Sequence, residues 1–170
     1  MAGGPEPVTG IGMTTMPSAD DHPDVIAKPP GIVAGFLAVG LAIETAWPSS
    51  VLPQTAQYVA GGAVFAAGLA LVTWAMSRFR SAGTNIPTSL PATAFVTDGP
   101  YRLTRNPIYV AMALGVIGIA LAVDSLWLLG LAIPLMAVIH FGVVRREERY
   151  LEKKFGDVYR GYKASVRRWI

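Results

Sequence analysis

The chain has 170 residues, 52% of them hydrophobic and only 15% charged, which is more apolar surface than one small soluble core can hide and points to a membrane protein. It contains no cysteine, which excludes disulfide scaffolds, thiolate metal sites and cysteine nucleophiles, and its two histidines are too few for a histidine cage, so no metal is expected. The net charge is only +3, and its distribution is more informative than its size.

Residues 1–28 lack the basic and apolar regions of a signal peptide. They are rich in Gly, Pro, Ser and Thr, with Glu6, Asp20, Asp21 and Asp24, and predict a disordered tail in which His22 is solvated. An apolar span follows near 31–50, broken only by Glu44, and a second near 56–77, beyond the Pro-bounded "PSSVLPQ". Glu44 is either a functional group within a span or a structural one near the membrane interface. Ala34, Ala38, Ala42 and Ala46 form one row of small residues at fourfold spacing, and Gly62, Ala66 and Ala70 form another. Both rows predict close helix packing, with oligomerisation as the alternative.

Residues 106–144 carry a single charge, Asp124. As one helix this run would reach about 58 Å, too long for a bilayer core of about 30 Å. Folded at Val123-Asp124-Ser125, it gives spans near 107–123 and 125–144, with Asp124 or Ser125 as the N-cap of the last and Pro134 as a kink within it. The expected fold is therefore an all-α membrane protein of four transmembrane helices, followed by an amphipathic helical segment at 145–170. Four spans put both termini on one side, and every Lys and Arg falls on that side: Lys28, Arg78, Arg80, Arg102, Arg105 and nine more after residue 144. By the positive-inside rule that side is the cytoplasm.

The edge of the third span reads "DGPYRLTRNPIYV". Asn106 is a favoured N-cap and Pro107 a favoured first helical residue, so helix dipole and free amides gather there beside Arg105. Tyr101, Arg102 and Tyr109 surround that point. The third and fourth spans form a hairpin, which brings Arg105-Asn106 level with Arg145-Arg146-Glu147-Glu148. An anion site facing a carboxylate pair suits a zwitterionic ligand. The plainer reading makes the basic residues interfacial anchors, with Glu148 paired to Arg145 one helical turn away. His140 shares helical spacing with Val144, Glu147 and Glu148, and either lines the pocket or packs structurally. In the last segment Leu151, Phe155, Val158, Tyr162, Val166 and Trp169 form an apolar stripe, bent at Gly156, which is either a surface helix or a lid.

"GPYRLTRNPIYV", then about forty residues, then "EERYLEKKFGDVYRGYKASVRRWI" resembles the isoprenylcysteine carboxyl methyltransferase and phospholipid methyltransferase family. Its pattern is Arg-His/Asn-Pro-x-Tyr, a Glu-Glu pair after the next span, and Phe-Gly-x-x-Tyr-x-x-Tyr. "GTNIPTSLPATAFVTDGP" at 83–100 is similar to the preceding segment of bacterial members. The resemblance implies an integral-membrane enzyme of the bacterial inner membrane that uses S-adenosylmethionine and requires no metal. Its acceptor would be lipophilic, an isoprenylcysteine-like carboxylate or a lipid headgroup, drawn from the surrounding lipids and not from nucleic acid. Arg105 and Glu147 would be catalytic. Tyr101, Arg102, Asn106, Pro107, Tyr109, His140 and Glu148 would hold the cofactor, with 145–170 completing the site beside a 29–144 membrane domain. Asn106 replaces the His of the eukaryotic prenylcysteine enzymes and cannot titrate. An NADPH-dependent membrane reductase shares part of the pattern, although the Glu pair would then oppose cofactor phosphates. A non-catalytic membrane protein that binds a lipid or partner is the remaining alternative.

Overall fold

The computed structural model describes residues 24–83 and 95–170. Among them there are helices and no strands. α1 is Pro29–Ala46, α2 Gln54–Ser81, α3 Pro107–Ala122, α4 Leu126–Ile139 and α5 Arg145–Ser165. A 3-10 turn at Gly99–Arg102 precedes α3, and a π turn at His140–Val144 joins α4 to α5. The expected tail 1–28 and the segment 83–100 lie partly outside the described residues. The last residues of that tail pack on the α4–α5 junction: the Ile26 amide donates to the Gly142 carbonyl at 3.3 Å, and Arg146 Nη1 donates to the Asp24 carbonyl at 2.8 Å.

The four apolar helices stand where the four spans are expected. α1, α2 and the rod that begins at Leu126 are long and apolar enough to cross a membrane. α3 has only 16 residues, about 24 Å. Its ends are fixed by Asn106-Pro107 on one side and by the Val123-Asp124 turn on the other. It is also the most enclosed helix, in contact with α2, α4 and α1. By contrast Val39, Val59, Leu69, Trp74, Ile133 and Phe141 point outward. An outer surface this apolar is suited to lipid, not water.

α2 and α3 run antiparallel at backbone contact. A Cβ on Gly118 would lie 2.6 Å from the Phe65 amide nitrogen, and one on Gly61 would lie 2.6 Å from that of Ala122. These glycines, not the predicted rows, make the close approach. Gly62, Ala66 and Ala70 face outward, as do Ala34, Ala38, Ala42 and Ala46. Fourfold spacing identified stripes of small residues but not which stripe meets a neighbour. Gly61 lies one residue, about 100° of helix, from Gly62.

The end of the bundle away from the arginines is tied by polar groups. Ser125, not Asp124, caps α4, accepting from the Leu128 amide at 3.2 Å. Asp124 takes a positive φ of 53°. Its carboxylate accepts from the amides of Val51 at 2.6 Å and Leu52 at 3.1 Å and from Gln57 Nε2 at 3.3 Å. Glu44 accepts from the Ser49 amide at 2.6 Å, and Ser49 Oγ lies 2.8 Å from the Asp124 carbonyl. Glu44 is thus a loop-fastening carboxylate, the structural alternative for it. Pro134 lies within α4, which runs on to Ile139.

Gly118→Leu should destabilise the protein by about 1–3 kcal/mol, because the added side chain meets backbone that cannot yield. Gly62→Leu, where the space is open, should change thermal unfolding in detergent little. Equal effects at the two positions would contradict this packing.

Candidate functional site

At the other end of the bundle three segments converge: residues 104–109 at the start of α3, the first turn of α5, and the C-terminal stretch 166–170. Glu148 lies at the centre. Its side chain is 9% exposed, and Arg105, at 8%, stands with Nη2 3.3 Å from Oε1. Arg168 closes the other side as a fork, with Nε 3.0 Å from Oε1 and Nη2 2.8 Å from Oε2. Two guanidiniums therefore stand beside one buried carboxylate, one of them in bidentate geometry. Arg145, the partner expected on the same helix, is exposed and lies over the Phe141 ring at 5.7 Å. The sequence-neighbour pairing loses because the interior offers Glu148 a shielded partner, whereas Arg145 points to solvent.

The π turn explains this placement. It inserts one residue into the helical phase and so rotates α5 by about 100° relative to α4. His140 meets Trp169, whose Nε1 donates to Nδ1 at 3.3 Å, while Glu148 turns towards Arg105.

Glu147 accepts a 2.7 Å hydrogen bond from the Tyr109 hydroxyl on α3. Burial raises its carboxyl from the usual 4.5 to about 7; the Tyr109 bond opposes that rise and the Glu148 charge reinforces it. The two adjacent glutamates thus differ in environment: Glu148 is ion-paired, and Glu147 is desolvated with one neutral donor.

Asn106 occupies the N-cap position, but its side chain makes no capping bond. Its Nδ2 donates to the Arg168 carbonyl at 2.9 Å. Thr104 Oγ1 donates to the same carbonyl at 3.0 Å, and the Arg105 amide donates to the Arg167 carbonyl at 2.9 Å. The residues that lead into the helix, Thr104 to Asn106, are consequently engaged by the chain's own C-terminal stretch. Pro107 is buried as the first residue of α3. Tyr101 is buried against Ala75, Val96 and the edge of Phe79, and its carbonyl accepts from the Tyr162 hydroxyl at 2.6 Å. Arg102 is exposed and joins none of these contacts. The short 3-10 turn that buries Tyr101 points its neighbour outward.

Among the described residues four buried donors have no partner: Arg105 Nε, Arg105 Nη1, the Tyr101 hydroxyl and, apart from them on α2, Arg78 Nε. Unmatched buried donors are costly and call for an acceptor. Tyr159, 2% exposed, belongs to the same neighbourhood, and burial pushes its hydroxyl well up. Tyr159 and Arg168 were not among the expected site residues. The first is visible in Phe155-Gly156-x-x-Tyr159-x-x-Tyr162. The second is hidden in an Arg-Arg-Trp cluster that looks like an interfacial anchor. The apolar stripe is also corrected. Gly156, at φ 54° and ψ −125°, breaks the helical phase, so Val158 faces out at 68% exposure and Tyr159 turns in. Phe95 stacks on Phe155 and meets Tyr159 and Tyr162 edge-on, which holds the bent α5 back against the bundle.

Among the described residues no three His, Asp or Glu side chains converge as a metal site. The phospholipid methyltransferase family matches residues 56–158, more than half of the chain and the whole span from α2 to the bend of α5. An uncharacterised protein of Haemophilus influenzae is 51% identical over 47 residues, covering 28% of this chain and 73% of that protein. The cobalt-zinc-cadmium resistance protein CzcN of Cupriavidus metallidurans is 37% identical over 62 residues, 36% of this chain and 29% of its own length. The nickel-cobalt-cadmium resistance protein NccN of Alcaligenes xylosoxydans xylosoxydans is 31% identical over 66 residues, 39% of this chain and 31% of its own. The chain therefore spans about a third of the length of these two resistance proteins. No solved structure matches it. On the span and order of the family match, this chain belongs to the phospholipid methyltransferase family.

Proposed function

We propose that the protein is an integral-membrane methyltransferase that uses S-adenosylmethionine and acts on a lipophilic acceptor, an isoprenylcysteine-like carboxylate or a lipid headgroup, drawn from the bilayer. The observation that carries this reading is the Arg105–Glu148 pair, buried at the membrane edge, with Arg105 Nε, Arg105 Nη1 and the Tyr101 hydroxyl lacking acceptors. A zwitterionic amino-acid group fits that donor set: its carboxylate suits the free face of Arg105 and its ammonium suits Glu148. Asn106, Pro107 and Tyr109 fix the shape of the site, and His140 borders it through Trp169.

S-adenosylmethionine supplies an already activated methyl group, so the chain's own residues chiefly align reactants and exclude water. Arg105 holds a carboxylate by parallel charge-assisted hydrogen bonds. Glu147 takes the proton from nitrogen when the acceptor is an amine, and Tyr109 orients its carboxylate for that transfer. A carboxylate acceptor needs no such base. The membrane end bearing Arg78, Arg80, Arg102 and α5 is assigned to the cytoplasm, and both termini with it, because all the basic residues gather there.

Saturable one-to-one binding of S-adenosylmethionine by the detergent-purified protein, without binding of NADPH, is the expected result. NADPH binding alone would transfer the case to a reductase, and binding of neither would favour a non-enzyme. Arg105→Ala should weaken S-adenosylmethionine binding by about 2–3 kcal/mol, the scale of a lost charge-assisted hydrogen bond. An unchanged affinity would remove Arg105 from the site.

The pH dependence follows from Glu147. Because its folded carboxyl holds its proton up to about 7 and the usual value is 4.5, its favourable contribution to stability is complete below 4.5 and is lost as pH rises through 7. Activity has the opposite sign: transfer to an amine should rise through pH 7, and Glu147→Gln should abolish that rise. A flat profile in the unaltered protein would argue for a carboxylate acceptor.

The absence of cysteine makes single-cysteine labelling clean. In intact cells Ser50→Cys should react with an impermeant reagent, and Ser165→Cys should react only after lysis. The reverse pattern would invert the orientation.

A further inference from the structure

The two halves of the proposed zwitterion site differ in availability. On the anion side, Arg105 keeps Nε and Nη1 unpartnered. On the cation side, Arg168 already occupies both oxygens of Glu148. A ligand ammonium that is to take the Arg168 positions on that carboxylate must displace the guanidinium.

Arg168 is not part of a helix. α5 ends at Ser165, and Val166 is extended, at φ −122° and ψ 134°. Residues 166–170 then lie across the start of α3, with the Arg167 carbonyl on the Arg105 amide and the Arg168 carbonyl on Thr104 and Asn106. Trp169 packs against the core and donates to His140. Thr104, Arg105 and Asn106 thus all engage main-chain carbonyls of this strap, and Arg105 is tied to it also through the Glu148 it shares with Arg168.

The charge balance makes the strap reversible. Arg105 is 8% exposed and remains beside Glu148 if Arg168 departs, so the buried carboxylate keeps a counter-ion. Arg168 is 33% exposed and can exchange its partner for water at small desolvation cost. Hence the outer guanidinium is the exchangeable one.

We propose that residues 166–170 form a self-occluding strap in which Arg168 stands in for the cation of the ligand, so that a ligand ammonium enters by displacing Arg168 from Glu148. This rests on the S-adenosylmethionine reading of the site. Binding is then ordered. The ligand carboxylate meets Arg105 first, and the ammonium takes Glu148 as the strap lifts. A closed strap lowers apparent affinity by the fraction of molecules in which it is open.

The test uses the full chain carrying Ile170→Cys, an exposed position on the strap, with a nitroxide label in detergent micelles. S-adenosylmethionine is titrated while label mobility and bound ligand are measured in the same samples. The label should be immobilised without ligand and should loosen in proportion to occupancy. Arg168→Gln should bind S-adenosylmethionine about ten-fold more tightly. Trp169→Ala, which leaves the Glu148 ion pairs untouched and serves if the first variant folds poorly, should shift in the same direction. Stoichiometric binding with an unmoved label, or weaker binding by both variants, would overturn the strap and leave the site standing. Absence of binding by every form would overturn the strap and the site together.

Discussion

A carboxylate buried between two arginines at the edge of a lipid-facing bundle organises this protein. Burying the Glu148 carboxylate there requires guanidinium partners, because an unpaired polar group in such surroundings is strongly disfavoured. That requirement links elements far apart in sequence. Arg105 comes from the approach to α3, Glu148 from the first turn of α5, and Arg168 from beyond the end of α5. Much of the local architecture serves to bring these three together. The π turn rotates α5 so that Glu148 faces inward, the bend at Gly156 sends the chain back, and Thr104 and Asn106 receive the returning backbone.

The same geometry gives two adjacent glutamates different chemistry. Glu148 is held between two guanidiniums. Glu147, one residue along, faces Tyr109 and is surrounded by few charges, so burial dominates its protonation. One segment of helix therefore supplies a charge-recognition group and a group able to exchange a proton near neutral pH.

Most of the fold was legible because hydropathy and charge are written at helix length. The uncharged runs gave the spans, Asn106-Pro107 gave the start of α3, Gly156 gave the bend, and the hairpin predicted that Arg105 would approach the glutamate pair. What could not be read depended on phase and on partners. A π turn leaves no clear mark in "HFGVV". Gly61 and Gly62 are neighbours with the same composition, and only tertiary packing distinguishes the buried one from the exposed one. Arg168 resembled any interfacial arginine because its carboxylate partner lies twenty residues away across a reversal of the chain. Arg102, adjacent to Tyr101, looked equally suited to the site and points outward instead.

The polar fastening around Asp124 bears on how the chain is assembled. The loop at 49–52 and the turn at 123–125 are joined there by hydrogen bonds, while the arginine–glutamate cluster joins segments at the opposite end. The bilayer lies between these two knots. Whichever end is cytoplasmic, one knot can be tied only after its loops have been carried across. The α1–α2 and α3–α4 hairpins must therefore insert before the glycine contact between α2 and α3 can lock, and a chain stalled at that stage would expose Asp124 without its amides. Such an intermediate would carry an unsatisfied carboxylate at the membrane edge, so the fastening far from the arginine cluster is the one that marks a finished bundle.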